Sequence, residues 1–225
     1  MQESIAVAID GPAAAGKSTV AKKVAGYFNY LYIDTGAMYR AFAWYAVQNG
    51  VDPASEKETR ELLPSFAMDF QRKGKAQRVF VGQEDVTEAI RTKEMGLYAS
   101  AVAVHPPVRH HLVALQREMA AQRAVVMDGR DIGTNVLPNA DVKIFLVASP
   151  EERAERRWKE YQSKGQDADL ALLLEDIRKR DKQDMERKVA PLKKASDAIE
   201  VDTTAMPLDD VVARIVQVVK QKVAS

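Results

Sequence analysis

The sequence predicts an α/β fold, an open parallel five-stranded sheet flanked by helices, with a small antiparallel β insert and a helical lid. Two observations carry the core of that prediction. Short apolar runs are followed repeatedly by a tight turn and then by a helical pattern, the punctuation of strand-loop-helix units. Between residues 65 and 85 this grammar breaks, and alternating or short apolar runs separated by Arg72-Lys73-Gly74-Lys75 take over, as antiparallel strands would require.

The elements follow in order. Ile5-Ala6-Val7-Ala8-Ile9 is a continuous apolar run that suits a parallel strand buried on both faces. Gly11-Pro12 breaks it, and a helical pattern runs over residues 17–28. A second strand, Tyr30-Leu31-Tyr32-Ile33, leads through Asp34-Thr35-Gly36 into a helix with Met38, Phe42, Tyr45 and Ala46 at helical spacing. The insert consists of Phe66-Ala67-Met68-Asp69-Phe70 and Arg78-Val79-Phe80-Val81, closed by a turn at residues 82–85. Helices are expected over 93–104 and 108–122, divided at Pro106-Pro107, where a helix would have to restart. The parallel grammar resumes at 124–127, 142–147 and 198–201. A last helix over 208–223 puts Val211, Val212, Ile215, Val218 and Val219 on one face.

The 225 residues carry 33 basic and 32 acidic side chains, a net charge of +1. That balance argues against a nucleic-acid polymer as partner, since phosphate contacts call for a clear basic excess. There is no cysteine, which removes disulfides, thiol catalysis and cysteine-ligated zinc, and three histidines (His105, His110, His111) cannot make a metal site alone. No apolar run approaches the ~20 residues needed to cross a bilayer. The first apolar stretch is too short for a signal peptide, so no membrane and a cytoplasmic setting are expected.

The loop after the first strand has a definite chemistry. Gly11-Pro12-Ala13-Ala14-Ala15-Gly16-Lys17-Ser18 satisfies G-x-x-x-x-G-K-[ST] and lies between a buried strand and a helix, with Thr19 next in line. Backbone N–H groups of such a loop converge on phosphate oxygens, and the helix dipole favours their charge. Lys17 would bridge the terminal phosphates of ATP and the Ser18 hydroxyl would ligate Mg²⁺. This is a P-loop NTPase-type arrangement. The competing reading is a Gly-rich turn that merely caps a helix, and a dinucleotide-binding turn would need glycine where Ala13 stands. A small-molecule kinase further needs an arginine-lined pocket for its acceptor.

Three segments supply one: Asp34-Thr35-Gly36-Ala37-Met38-Tyr39-Arg40, Asp128-Gly129-Arg130-Asp131-Ile132-Gly133-Thr134, and residues 180–187. Strand ends of a parallel sheet share one edge, so segments following Ile33 and Met127 face the same crevice as the phosphate loop. With Val189-Ala190-Pro191-Leu192, Asp141-Val142-Lys143-Ile144-Phe145-Leu146 and the insert, they make nearly the whole chain similar to bacterial cytidylate kinases, nucleoside monophosphate kinases of the P-loop fold. The resemblance implies transfer of the ATP γ-phosphoryl group to CMP or dCMP, with Mg²⁺, by a monomer. It makes residues 1–225 a single kinase domain, with a core (1–62 and 105–225), an acceptor-binding insert (63–104) and a lid (150–167) within the core segment.

By the same resemblance Lys17, Arg40, Arg130 and Arg180 are the catalytic residues, and Arg40 and Arg130 hold the CMP phosphate. Asp128 holds Mg²⁺ through water, beside Ser18. Asp131 reads the cytosine base, with Arg109, Arg187 and Ser100 supplying donors or orienting contacts. Thr35 contacts base or phosphate, Asp184 the ribose, and Arg157 of the lid the ATP. The physics agrees with the absence of a histidine-based constellation. A nucleoside monophosphate carries about −1.5 to −2 charges at pH 7, so its phosphate oxygen needs no general base, only cancelled repulsion and alignment. Arginine forks suit that task. Cytosine donates from N4, which a carboxylate accepts.

Each residue has a plainer competitor. Arg40 and Arg109 could be surface helix charges, and Asp131 a helix N-cap. Arg153, Arg156 and Arg157 share a helix face and read either as a lid that closes over phosphates or as part of a solvated face with the i,i+4 pairs Glu152–Arg156, Glu155–Lys159 and Arg156–Glu160. Eight basic against three acidic residues between positions 178 and 194 suit nucleotide phosphates as well as a polymer. A shikimate-type or gluconate-type kinase, and a nucleotide switch without turnover, remain the alternatives.

Overall fold

A computed structural model of the chain describes residues 5–73 and 76–223. The chain forms two units, one from the segments up to Tyr32 and from Ala120 onward, the other from Ile33 to Met119.

The first unit is organised by a five-stranded parallel sheet in the order β2-β6-β1-β7-β8, with β1 Ala6–Asp10, β2 Leu31–Asp34, β6 Val125–Gly129, β7 Val142–Val147 and β8 Ile199–Asp202. β1 is central, with Val7 opposite both Val126 on β6 and Val142 on β7. Its apolar run is unbroken because Val7, Ala8 and Ile9 have no solvent on either face. Helices α1 (Lys17–Phe28) and α8 (Leu208–Val223) turn Val20, Val24, Val211, Ile215 and Val219 onto that core. Helices α6 (Pro150–Ser163) and α7 (Leu170–Glu186) complete the unit.

The second unit contains α2 (Thr35–Gln48), α3 (Glu56–Leu62), α4 (Lys93–Val102), most of α5 (Pro106–Gln122), and the antiparallel sheet of β3 (Met68–Lys73), β4 (Ala76–Val81) and β5 (Glu84–Asp85). Its core gathers Phe42, Phe66, Val86, Ile90, Val102 and Leu112. The Phe42 and Phe66 rings meet edge to face at 5.1 Å.

Three details differ from the sequence-based expectation. Helix α5 begins at Pro106 rather than after the proline pair, because the first helical positions need no N–H and both rings start the helix. The turn expected at 82–85 narrows to Gly82, at φ 58°, and its neighbour, leaving Glu84–Asp85 to pair with β4 as a third strand. Helix α3 had no apolar periodicity to announce it. Ser55 caps it by accepting from the Glu58 N–H, and Glu56 and Glu58 sit in its first turn. The turn expected around Gly74-Lys75 lies outside the described residues. Among the described residues no helix is long and apolar enough to cross a membrane.

Candidate phosphotransfer site

In the first unit the loop from Gly11 to Ser18 joins the end of β1 to the N-terminus of α1. Gly11 is required there: at φ 150°, a Cβ would stand 2.2 Å from the Leu146 carbonyl oxygen of β7. Gly16, at φ 85°, opens α1. Lys17 is buried and its Nζ donates to the Pro12 carbonyl at 2.6 Å, so the lysine closes the loop on itself. Burial and the nearby Arg130 charge lower its ammonium pKa, against the pull of Asp128, Asp10 and Asp184.

Asp128, near the end of β6, is held at both oxygens. Ser18 Oγ donates to Oδ2 at 2.9 Å and the Tyr32 hydroxyl to Oδ1 at 2.8 Å. Arg130 Nε donates to Asp184 Oδ2 at 2.8 Å. Burial pushes the Asp184 carboxyl up, but the charge and hydrogen bond of Arg130, with the charges of Arg180 and Arg187, outweigh it and hold the group below the usual carboxylate range. Arg187 Nη2 donates to Asp131 Oδ1 at 2.9 Å while its Nε donates to the Ala190 carbonyl. Asn135 takes the other Asp131 oxygen at 3.0 Å. The Asp131 side chain therefore caps no helix. Lys17, Ser18, Asp128, Arg130, Asp131, Arg180, Asp184 and Arg187 thus belong to one electrostatic cluster.

The arginines of α6 differ in their contacts. Arg153 is buried, donates to the Ala13 carbonyl of the phosphate loop at 2.9 Å and to the Ala148 carbonyl, and grips both oxygens of Asp181 on α7. It is an anchor and not one of three arginines on a closing face. Arg156 pairs with Glu152 and reaches Thr203. Glu155 pairs with Lys159 as the spacing suggests, whereas Glu160 takes Lys164. Arg157 lies 6.0 Å from the Tyr161 ring of its own helix.

The second unit carries the other predicted residues. Asp34 caps α2 by accepting from the Ala37 N–H at 2.8 Å, and its second oxygen accepts from Arg40 Nη2 at 3.3 Å. Gly36 leaves room for that pair, since a Cβ would stand 3.1 Å from the Arg40 guanidinium. Thr35 is buried in the first turn. Arg109 is not a surface charge: it is 2% exposed, donates to the Ala103 carbonyl at 3.4 Å and lies 5.7 Å from the Tyr39 ring. Ser100 is half-buried, its hydroxyl on the Gly96 carbonyl.

Sequence reasoning missed Tyr32 and Asp181, quoted Asp34 without its capping role, and read Arg153 only as part of a lid or solvated face. A tyrosine in a strand buried on both faces needs a hydrogen-bond partner, and an Asp three residues before a helical N–H is a capping signal. Those two were within reach. The Arg153–Asp181 pair joins two helices and carried no local signal.

A glycine-lysine-serine loop between a buried parallel strand and a helix, backed by arginine–carboxylate pairs at the next strand end, defines a P-loop phosphotransferase. The description Cytidylate kinase belongs to the family model that matches residues 7–221. The cytidylate kinase of Anoxybacillus flavithermus is 53% identical over 223 residues, covering 99% of each chain. That of Bacillus subtilis is 51% identical over 222 residues, again 99% of each. The chain belongs to the cytidylate kinase family. Among solved structures, an uncharacterized protein from Eubacterium ventriosum shares the fold at TM-score 0.52 and 14% identity, over 96% of this chain and 98% of that one.

Proposed function

We propose that the chain transfers the γ-phosphoryl group of ATP to CMP or dCMP, giving ADP and CDP or dCDP. The observation that carries this reading is the cluster in the first unit, where a phosphate loop and the pairs Arg130–Asp184 and Arg187–Asp131 sit at the ends of adjacent strands. An ionised oxygen of the acceptor phosphate attacks the γ-phosphorus, and the bond to the bridging β–γ oxygen breaks, leaving the electron pair on ADP. No proton needs to be removed from the attacking oxygen. Lys17 would take the β- and γ-phosphate oxygens in exchange for the Pro12 carbonyl. Arg130 and Arg180, with Arg40, would cancel the repulsion between the two anions and align them.

Asp131 would accept from the cytosine amino group, with Arg187 fixing its carboxylate and Arg109, Ser100 and Thr35 orienting the acceptor. Asp184 would take the ribose. Uracil presents O4 to the same carboxylate, a buried mismatch that costs on the order of 1–3 kcal/mol. The Ser18 hydroxyl and the Asp128 carboxylate, 2.9 Å apart, form an all-oxygen donor pair of the kind Mg²⁺ prefers. Mg²⁺ bound there would neutralise charge on the transferring phosphates. Residues 63–104 would serve as acceptor-binding insert and 150–167 as lid with Arg157 toward ATP, in a cytoplasmic monomer.

The test is a screen of the common nucleoside monophosphates with Mg·ATP, followed by ADP release. CMP and dCMP should be the preferred acceptors by about tenfold or more over UMP. A stronger rate with AMP, with UMP, or with a non-nucleotide acceptor overturns the assignment, and ATP binding without acceptor-dependent turnover makes the chain a switch.

A further inference from the structure

Asp10 closes β1, stands directly before Gly11 of the phosphate loop and is 4% exposed. Its Oδ1 accepts from the backbone N–H of Ile132 at 2.8 Å, and its Oδ2 from that of Gly133, also at 2.8 Å. These N–H groups open the short π-helical turn of residues 132–136, whose own preceding side chain, Asp131, is committed to Arg187 and Asn135. The start of the turn is thus capped from another strand, by a residue more than a hundred positions away. The fit is close on the far side too: a Cβ on Gly133 would stand 3.1 Å from Lys143 Cδ and 3.5 Å from the Asp10 carboxylate. A buried carboxylate is costly unless it is hydrogen-bonded, and two consecutive N–H groups meeting its two oxygens offset part of that cost.

The geometry points to Asp10 as a positioning residue that sets Arg130 and Asp131 in register with the phosphate loop, through the Ile132 and Gly133 N–H groups. Resting on the functional reading above, this makes Asp10 a determinant of acceptor affinity and base choice, acting through its neighbours without touching substrate. ATP recognition depends on the backbone N–H groups of the loop and on Lys17, which donates to the Pro12 carbonyl and feels Asp10 as one of three nearby carboxylates, and is affected less.

The decisive variant is Asp10→Asn, nearly the same shape but with one acceptor and one donor in place of two acceptors. One of the two buried N–H groups then faces an N–H donor, a loss on the order of tenfold to a hundredfold in an equilibrium constant. Titration calorimetry should show CMP affinity reduced by about tenfold or more while ATP affinity changes little. The CMP-to-UMP preference in kcat/KM should narrow in parallel, and amide exchange at Ile132 and Gly133 should quicken. Wild-type CMP affinity and amide protection in Asp10→Asn overturns the proposal, and so does an equal loss for CMP and ATP, which would mark a general structural role. Should that variant fail to fold, Gly133→Ala crowds the Lys143 side chain behind the same turn and must weaken CMP while sparing ATP; equal effects refute the inference. A wild-type chain that binds neither CMP nor dCMP would sink the functional reading, whereas the amide exchange of Asp10→Asn still decides whether Asp10 holds the turn.

Discussion

Arg130 is already neutralised by a carboxylate before any nucleotide arrives, and this shapes what its loss would do. Replacing it by Met removes the fork proposed to bind phosphate and leaves the half-buried Asp184 without its main partner. We expect kcat to fall by two to three orders of magnitude, about the cost of removing one preorganised transition-state donor, with a smaller loss for Asp184→Asn; steady-state assays with CMP measure both. At this scale the sequence was most informative where chemistry depends on neighbours along the chain. Lys17, Ser18, Asp128 and Arg130 are recognisable because glycine spacing and a strand end announce them within a few residues. Tyr32, 96 residues from Asp128, announces that it needs a partner but not which one, and Asp10, which holds Ile132 from 122 residues away, shows nothing of this locally. Their partners exist only once parallel strands have been brought side by side.

Helices α6 and α7 show where element-level reading reached its limit. The i,i+4 arithmetic of α6 correctly predicts pairs at Glu152–Arg156 and Glu155–Lys159. It cannot say that Arg153, on the same turn, is turned inward to Asp181 and the Ala13 carbonyl. That guanidinium ties two helices to the phosphate loop. Arg153→Met should destabilise the protein by about 3–5 kcal/mol, because it strands Asp181 as a buried, unpaired charge. Urea unfolding measures the loss, and Arg153→Met combined with Asp181→Leu should recover part of it. Helix boundaries show the same limit: a pair of prolines reads as a stop in one direction and as a start in the other, and α5 takes both into its first turn, where no N–H is needed.

For the molecule as a whole, acid response is the accessible observable. Burial pushes the Asp10 carboxyl up to about 6 from 3.8, with Asp131 adding to the rise and the Ile132 and Gly133 N–H groups and Lys17 opposing it. The folded chain therefore keeps this proton to higher pH than the unfolded chain. The resulting contribution to stability is complete below the unfolded value of 3.8 and is lost as pH rises through about 6. Unfolding free energies measured across that interval should carry a downward component that Asp10→Asn lacks. The α/β class, the parallel core and the antiparallel insert were legible in hydrophobic periodicity alone. The division at Tyr32 and Ala120 was not, because no change of composition marks either point. The order of the strands also governs how the chain comes into being. β1 is made first, yet both strands that flank it, β6 and β7, begin only at Val125 and Val142. At about 5–20 residues per second, a strand apolar up to Asp10 is made roughly ten seconds before its neighbours are synthesised. The loop of residues 11–18 is among the earliest parts translated, yet it cannot take its shape until well over half the chain has followed it.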